Sequence, residues 1–343
     1  AQGAISILEG LGCIDTLCFG SECGELSVLQ HIAQLLLSES DTYSHMLQDA
    51  LKKGHSFPAA RHQALEKLTG DASVSQILSE PNNILGIEYL KALKKQNSRM
   101  VPYTLKRDSS GYHDTKLQPQ SSSASAIRNA LRHWEKQPFS RYPADPQQTP
   151  DGFSELLQNQ LPENALRLLR DAWNQSCPIE TNDFSLLLKY RLLCETRRSL
   201  CEYQDISEDL ANRIIRNRNQ FLNFEQFCQL LKTKELTYSR ISRGLLHILL
   251  AVKKEDMLRY RESSCIYTRI LGFRKEHADV LRQIKENASI PVITKLGQTD
   301  SLLPETIRML DQTTFASDLY ESVVSDKFGI PFINEYQKQI IHV

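Results

Sequence analysis

The sequence predicts an α/β domain with a parallel sheet over residues 1–137, followed by an all-α, mainly helical domain over residues 153–343. Three observations support this division. Two short apolar runs that suit strands are separated by helix-forming segments in the first part. Four prolines and a glycine mark a linker at 138–152. Beyond the linker, apolar residues recur at helical spacing almost throughout.

Composition and charge limit the kinds of protein that this chain can be. The chain has 343 residues and 41% hydrophobic residues, which leaves room for two globular domains. It carries 41 basic and 41 acidic residues, so it has no overall attraction for nucleic acid. Any RNA-binding surface must therefore be a local cluster of Lys and Arg.

The eight cysteines contain no CxxC pair and do not resemble a secreted disulfide framework. They predict reduced thiols in a cytoplasmic protein. Cys13, Cys18 and Cys23 lie five residues apart, but the apolar residues between them favour a strand, so no metal site is predicted. No apolar run approaches the ~20 residues that a membrane-spanning helix needs, and no secretion signal is visible, so no membrane association is expected.

The first domain is predicted to begin with a helix at 4–11 that ends at Gly12 and a buried strand at 13–19 that Gly20 follows. A second strand is predicted at 100–106, where Pro102 favours a strand start or an edge position. The segments between these strands have helical spacing, at 24–37, about 41–53, about 58–68 and 81–93. Strands separated by helices imply a parallel sheet.

The helix that starts at Pro81 is the element around which a ligand site is predicted. Leu85, Tyr89 and Leu93 repeat at helical spacing, so one face should be buried. Asn82 and Asn83 stand at its start, and one asparagine is enough to cap the helix. The other amide is then available to a ligand, and the positive end of the helix suits a phosphate. The alternative is an ordinary capped surface helix.

Polar groups of three segments are expected at one edge of the sheet. Gly20 follows the first strand, Arg107 follows the second, and Asn82 starts the intervening helix. In open parallel sheets ligands bind at the carboxyl ends of the strands, beside helix N-termini. The sequence therefore predicts a nucleotide site there, although Gly20 could instead be a turn glycine and Arg107 a surface cation.

A polar, Ser-rich loop at 108–125 leads into another predicted helix. Ser123 and Ser125 are suitable caps, and Arg128 is predicted in the first turn. A cation at the positive end of a helix is unfavourable unless an anion such as a triphosphate binds there, so Arg128 is a candidate phosphate contact. His113 and Asp114 are interpreted as loop-anchoring residues rather than an acid/base pair.

The second domain combines predicted helices with clustered basic residues. Helices are predicted at 183–203, 206–217, 222–233, 238–253 and 304–323, with one strand at 291–296. Lys and Arg are interleaved with tyrosines here, a composition typical of RNA-binding surfaces. The candidate RNA-binding residues are Lys232, Lys234, Tyr238, Arg240 and Arg243. The alternative is that these cations are solvated helix faces paired with acidic residues.

Several separated stretches resemble one family, the bacterial tRNA(Met) cytidine acetate ligases, a branch of the HIGH-type nucleotidyltransferases. The resemblance lies in Phe19–Glu22, Pro81–Gly86, Lys106–Arg107, Tyr112–Asp114, Ser123–Arg128, Leu231–Lys234 with Thr237–Tyr238, and Arg269–Phe273. Their order and spacing extend over most of the chain.

The resemblance implies a partial Rossmann-like nucleotidyltransferase domain and a tRNA-binding helical domain. It implies that Gly20, Asn82 and Arg107 contact ATP, with Arg128 near the phosphates. Such enzymes use ATP, with Mg²⁺ expected, to convert acetate to acetyl-adenylate. They then transfer the acetyl group to N4 of the wobble cytidine of elongator tRNA(Met). The oligomeric state is left open.

The sequence departs from the family at its start. The family has a His-x-Gly-His phosphate-binding motif near its N-terminus, and none of the nine histidines here forms it. About eighty residues would precede Ala1 by comparison with the family, and negligible ligase activity is expected of these 343 residues alone. Two alternatives remain: a nucleotidyltransferase of the same superfamily acting on a small metabolite, or a non-catalytic RNA-binding relative.

Overall fold

The structure is a computed structural model, and it describes residues 1–38, 41–55, 57–70, 72–107, 116–118, 122–135, 156–157, 159–262, 267–297, 299 and 302–342. The chain divides into two compact units. The first unit comprises Ala1–Leu166 and Val280–Ile290, and the second comprises Arg167–Asp279 and Pro291–Val343. The predicted linker at 138–152 lies outside the described residues.

The first unit combines a small parallel sheet with helices. Its strands are β1 (Thr16–Ser21) and β2 (Val101–Lys106). Its helices are α1 (Gln2–Leu11), α2 (Leu26–Ser38), α3 (Asp41–Lys52), α4 (Phe57–Thr69), α5 (Ala72–Ile77), α6 (Pro81–Lys95) and α7 (Ala124–Glu135). The predicted helices are confirmed, and α5 is an addition.

The sheet pairs β1 with β2 in parallel, as predicted, and aligns Thr16 with Val101. Pro102 is the second residue of β2, where its missing N–H is tolerated. Two sequence predictions are corrected here. Gly20 lies within β1 rather than after it, and β1 is only half buried. Side chains alternate between the two faces, so Phe19 and Ser21 are buried while Gly20 is exposed.

Helix α6 is packed against β1 and α2, and Leu93 of the predicted apolar face is buried whereas Leu85 is exposed. Ile87 and Leu90 lie in the same core cluster as Leu29 and Ile32 of α2. The approach of α6 to β1 depends on Gly86. A Cβ added at Gly86 would stand 2.5 Å from Cε2 of the buried Phe19 ring. Glycine at this position therefore sets the distance between the helix and the strand.

Replacing Gly86 by alanine is expected to lower the free energy of unfolding by about 1–3 kcal/mol, because the close-packed Phe19 ring cannot yield without moving the strand. Gly3 is the matched control. It also lies in a helix, but no atom stands within 4 Å of its added Cβ. Gly3→Ala should leave stability unchanged or raise it by about 0.5–1 kcal/mol. Urea unfolding of both variants checks this, and equal effects would contradict the packing account.

Residues 280–290 return to the first unit by packing on α1. The Ser289 N–H donates to the Gly10 carbonyl at 2.8 Å. A Cβ added at Gly10 would stand 2.7 Å from Cγ2 of Ile290, so this contact also needs glycine. The segment includes most of the helix Ala278–Asn287, which comes after the start of the second unit along the chain.

The second unit is rich in helices and includes short strand pairs. The helices between Glu163 and Glu262 are α8 (Glu163–Ala172), α9 (Ser185–Cys194), α10 (Arg197–Leu200), α11 (Glu208–Asn217), α12 (Phe224–Leu231), α13 (Tyr238–Leu249) and α14 (Lys254–Glu262). Beyond them are β3 (Thr268–Arg269), β4 (Gly272–Phe273), α15 (Ala278–Asn287), β5 (Val292–Ile293), α16 (Pro304–Phe328) and β6 (Ile341–His342), and most of α15 belongs to the first unit. Three-residue and four-residue 3₁₀ turns lie at Thr181–Phe184, Arg218–Gln220 and Lys275–His277.

The core of the second unit lies among α9, α11, α12 and α13. Phe221, Phe224 and Phe227 are fully or almost fully buried there, and the rings of Phe221 and Phe227 lie 4.8 Å apart. The predicted helix at 183–203 is wrong as one element. It is interrupted at Glu195 and Thr196, because Thr196 and Ser199 form a capping box that starts a new helix.

The short strands β3 and β4 correct the prediction of an all-α domain from residue 153 onward. β3 pairs with β5, and β4 pairs with β6. The strand predicted at 291–296 is confirmed as β5, and the closing helix predicted at 304–323 is confirmed as α16. Two-residue strands are too short to give a periodic sequence pattern, which explains why β3 and β4 were not predicted.

A buried carboxylate holds the C-terminal part of the second unit together. Glu335 is 8% exposed, and it accepts hydrogen bonds from Ser317 Oγ at 2.5 Å and Lys338 Nζ at 2.7 Å. Nη1 of Arg269, in β3, lies 2.6 Å from its other oxygen. Burial raises the pKa of Glu335, but the bonds from Lys338, Ser317 and Arg269 outweigh burial and lower the pKa to about 2.

Glu335 should make this unit sensitive to acid. Its folded pKa of about 2 lies below its ordinary value of 4.5, so its contribution is complete above pH 4.5 and is lost as the pH falls toward 2. The contribution is about 3 kcal/mol. Urea unfolding between pH 3 and pH 7 should show that Glu335→Gln loses less stability on acidification than the unmodified protein does. The variant should nevertheless be less stable at pH 7. Parallel pH profiles would contradict this assignment.

No helix in the described ranges combines the length and the apolar character that crossing a membrane requires.

Candidate functional site

The carboxyl ends of β1 and β2 and the N-terminus of α6 meet at one edge of the first unit. β1 runs into the turn that contains Glu22, β2 runs into Arg107, and α6 begins at Pro81. The side chain of Glu22 reaches α6, and the side chain of Arg107 lies over Gly20. The structure therefore brings Gly20, Asn82 and Arg107 to the same edge.

The N-terminus of α6 is capped by Glu22, a residue for which no role is predicted from the sequence. Glu22 Oε2 accepts a hydrogen bond from the Asn83 N–H at 2.9 Å, and its Oε1 accepts a longer one from the Asn82 N–H at 3.4 Å. Oε1 also accepts from Asn82 Nδ2 at 2.6 Å. A carboxylate suits this position because the helix terminus offers free N–H groups and partial positive charge.

This arrangement corrects the prediction that an asparagine caps α6, whereas phosphate binding at the helix terminus stays a prediction. The residue at the N-cap position is Glu80, which makes no capping hydrogen bond with its side chain. Glu22 engages the N–H groups of Asn82 and Asn83 instead. An anionic ligand would have to displace that carboxylate in order to reach them.

The two asparagines have different roles. Asn83 is 1% exposed, its Oδ1 accepts from the Cys23 N–H at 3.1 Å, and its Nδ2 donates to the Ile77 carbonyl at 3.1 Å. Both ends of its amide are therefore used to hold the turn after β1 against the chain before α6. Asn82 is partly exposed, and among the described residues its side chain bonds only through Nδ2, to Glu22. Asn82 is the asparagine that a ligand can reach.

Gly20 and Arg107 form the other half of the edge. Arg107 follows β2, and its N–H donates to the Ser21 carbonyl at 3.0 Å, which extends the sheet by one bond. A Cβ added at Gly20 would stand 3.4 Å from Arg107 Cγ and 4.0 Å from its Nη1. The guanidinium therefore lies along the exposed backbone of Gly20, and any side chain larger than alanine at position 20 would compete with it for space.

The side chain of Ser21 anchors the turn after β1 to the sheet. This residue is fully buried, its Oγ lies 2.7 Å from Thr104 Oγ1 of β2, and it accepts from the Gly24 N–H at 3.1 Å. Gly24 has φ +70° and packs closely on Lys106, so the turn needs glycine there. These contacts hold the backbone of the turn in which Glu22 lies.

Arg128 and the loop before it are less closely defined. Ser123 caps α7, since its Oγ accepts from the Ala126 N–H at 3.0 Å. Arg128 is exposed and lies just beyond the first turn, where its Nη2 is 3.4 Å from Ser125 Oγ. Its phosphate role stays a prediction. Tyr112, His113 and Asp114 lie outside the described residues.

The candidate RNA-binding residues of the second unit separate into two groups. Arg243 Nε lies 2.6 Å from Asp205 Oδ2, and Tyr238 is partly buried against the core. These positions suit structural roles. Lys232, Lys234 and Arg240 are exposed around the turn between α12 and α13. Among the described residues, no side-chain partner is recorded for these three cations.

A metal centre built by protein side chains is not found in the part of the chain that the structure describes, where no three His, Cys, Asp or Glu residues are grouped suitably. The edge of the first unit instead offers one cation, one carboxylate and one amide. Such groups can bind and orient a nucleotide. Glu22 is the functional candidate missed earlier, although its position directly after β1 was a signal for it.

Comparison with known proteins agrees with the fold. A family described as HIGH Nucleotidyl Transferase matches residues 1–330. The chain belongs to this family. Its match covers both units, so the helical second unit is included in the likeness to HIGH nucleotidyl transferases.

Two curated relatives of this HIGH nucleotidyl transferase carry the same name. The tRNA(Met) cytidine acetate ligase of Caldanaerobacter subterraneus subsp. tengcongensis is 36% identical over 321 residues, which are 93% of this chain and 74% of the relative. The protein of the same name from Acetivibrio thermocellus is 34% identical over 324 residues, 93% of this chain and 75% of the relative. The chain thus spans about three quarters of the relatives' length.

Two solved structures of one Thermotoga maritima protein have a similar fold. The crystal structure of Thermotoga maritima TmcAL without ligand has a TM-score of 0.85 and 26% identity, and the match covers 99% of this chain and 80% of that chain. The structure of Thermotoga maritima TmcAL bound with alpha-thio ATP has a TM-score of 0.83 and 25% identity, covering 99% and 79%.

Proposed function

We propose that this protein is an ATP-dependent tRNA(Met) cytidine acetate ligase. It activates acetate as acetyl-adenylate, with pyrophosphate leaving. It then transfers the acetyl group to N4 of the wobble cytidine of elongator tRNA(Met), with AMP leaving. The observation that carries the proposal is the convergence of Gly20, Asn82 and Arg107 at one sheet edge in a chain whose relatives carry that name.

ATP is proposed to bind at this edge. Gly20 leaves room for the Arg107 side chain, Asn82 offers an amide group, and Arg107 provides a cation for a phosphate. Arg128 is proposed as a further phosphate contact. The likeness to a structure of Thermotoga maritima TmcAL bound with alpha-thio ATP supports a nucleotide here.

The activation step asks mainly for positioning and charge neutralisation. Acetate attacks the α-phosphorus, so the protein must align the two reactants and stabilise charge on the phosphates. Mg²⁺ is proposed to arrive with ATP, since this ion is commonly held by substrate phosphates, waters and one or two carboxylates. That mode fits an edge with one carboxylate and no group of protein ligands in the described residues.

The tRNA is proposed to contact the turn between α12 and α13. Lys232, Lys234 and Arg240 are exposed there, and cations of this kind bind RNA phosphates. Tyr238 and Arg243 are proposed to shape the surface, through the core and through Asp205 respectively. The protein is proposed to act in the cytoplasm, together with its tRNA substrate.

Replacing Lys232, Lys234 and Arg240 together by alanine should weaken tRNA binding and lower its salt dependence by about one unit of log–log slope per residue. ATP binding should be unchanged. The control variant replaces Lys52, Lys53 and Lys67, three exposed lysines of the first unit, and removes the same charge. Filter-binding titrations from low to moderate salt measure the slope. Equal slopes for the two variants would contradict this surface.

The proposal as a whole is tested by mass analysis of elongator tRNA(Met) after incubation with ATP and labelled acetate, using the protein encoded by the complete gene. The expected product carries one labelled acetyl group on the wobble cytidine. ATP binding without tRNA acetylation or tRNA binding would favour a nucleotidyltransferase acting on a small metabolite. tRNA binding without ATP binding would favour a non-catalytic RNA-binding relative.

A further inference from the structure

The orientation of the Asn82 side-chain amide is fixed by Glu22. Asn82 Nδ2 lies 2.6 Å from Glu22 Oε1. A carboxylate only accepts hydrogen bonds, so the nitrogen must face it, and the reverse orientation would set two oxygens against each other. Asn82 Oδ1, on the other side of the amide, has no recorded hydrogen-bond partner within the described ranges.

This orientation limits what Asn82 can recognise. Its remaining oxygen is an acceptor, and an acceptor cannot bind the oxygens of a triphosphate. It can accept from a ribose hydroxyl or from the 6-amino group of adenine. The negative charge of Glu22 lies at the same helix terminus and also disfavours a phosphate there.

We propose that Glu22 is a positioning residue that turns Asn82 Oδ1 toward a hydrogen-bond donor of the nucleoside part of ATP, so that Asn82 reads the nucleoside and not the phosphates. The phosphates then lie nearer Arg107, whose guanidinium donates hydrogen bonds. This inference rests on the proposed ATP site.

The contacts that hold the turn around Glu22 support a positioning role for this residue. Ser21 and Cys23 on either side of it are held by Thr104 and Asn83. Glu22 makes contacts with both the backbone and the side chain at the start of α6. A residue that served only as a cap would need the backbone contacts alone.

The first experiment measures dissociation constants by titration calorimetry for ATP, 2′-deoxy-ATP, 3′-deoxy-ATP, purine riboside triphosphate and ADP. In the unmodified protein, removal of one nucleoside donor should weaken binding about tenfold. In Asn82→Ala, removal of the same donor should hardly change the dissociation constant. Loss of the γ-phosphate should weaken binding by the same factor in both proteins.

Two outcomes would overturn the inference in different ways. If Asn82→Ala binds ATP like the unmodified protein, the proposed site itself fails at Asn82. If Asn82→Ala binds ATP weakly but changes only the loss of affinity from ATP to ADP, the proposed site is retained and the assignment of Asn82 to the nucleoside is wrong.

The second experiment tests Glu22 through the same analogues. Glu22→Ala should abolish the tenfold discrimination, and Glu22→Gln should retain it, because a glutamine oxygen can still accept from Asn82 Nδ2. Glu25→Ala is the matched control, since Glu25 is an exposed acid three residues along the same turn. If Glu22→Ala lowers the melting temperature and leaves the discrimination intact, Glu22 is a cap only and the proposal fails.

Discussion

Replacing Asn83 by alanine is expected to lower the free energy of unfolding of the first unit by about 2–4 kcal/mol. Asn83 is 1% exposed, and its loss would leave the Cys23 N–H without that partner and the Ile77 carbonyl with only a 3.4 Å bond from the Glu80 N–H. An unpaired buried polar group costs about 1–3 kcal/mol, and the lost bond to Ile77 adds to this cost.

The neighbouring residue provides the contrast. Asn82→Ala should cost less than about 1 kcal/mol of stability, because the Glu22 contacts to the backbone of α6 remain. It should nevertheless weaken ATP binding about tenfold. Urea unfolding and ATP titration of both variants measure the two effects. Equal losses of stability would contradict the division of roles between the asparagines.

Replacing Gly20 by leucine is expected to weaken ATP binding by about 10-fold to 100-fold without unfolding the sheet. A side chain at this exposed position would displace Arg107, and a hydrogen bond to a charged group contributes about 1.5–3 kcal/mol. Gly20→Ala is the control. Its Cβ would stand 3.4 Å from Arg107 Cγ, which is an ordinary contact, so its affinity should stay close to that of the unmodified protein.

A double substitution tests whether Gly20 acts through Arg107. Arg107→Ala alone should weaken ATP binding to a similar extent, and adding Gly20→Leu should cost little more, because the displaced group is already absent. The dissociation constants can be measured by calorimetry. Additive losses would mean that leucine at position 20 blocks the nucleotide directly, and Arg107 would then not be the intermediary.

Much of the first unit could be predicted because its elements are long and periodic. The apolar spacing of α2 and α6 located both helices, and the strand–helix–strand order implied the parallel pairing that β1 and β2 adopt. The carboxyl-edge rule then placed Gly20, Asn82 and Arg107 together without any tertiary information.

The details of the edge could not be predicted in the same way. Glu22 caps a helix that begins 59 residues later, and local capping rules consider only the residues next to the helix. The two asparagines look equivalent in sequence, and only the contacts of Asn83 with Cys23 and Ile77 distinguish them. Local rules did contain one unused signal, the Thr196–Ser199 capping box that divides the helix predicted at 183–203.

The central claim is that the edge formed by Gly20, Asn82 and Arg107 binds ATP for the activation of acetate. The most direct measurement is acetate-dependent exchange of labelled pyrophosphate into ATP, without tRNA, by the protein encoded by the complete gene. The account predicts exchange that requires acetate and falls at least about tenfold in Asn82→Ala and in Arg107→Ala. Absence of exchange, or exchange that neither substitution changes, would contradict it.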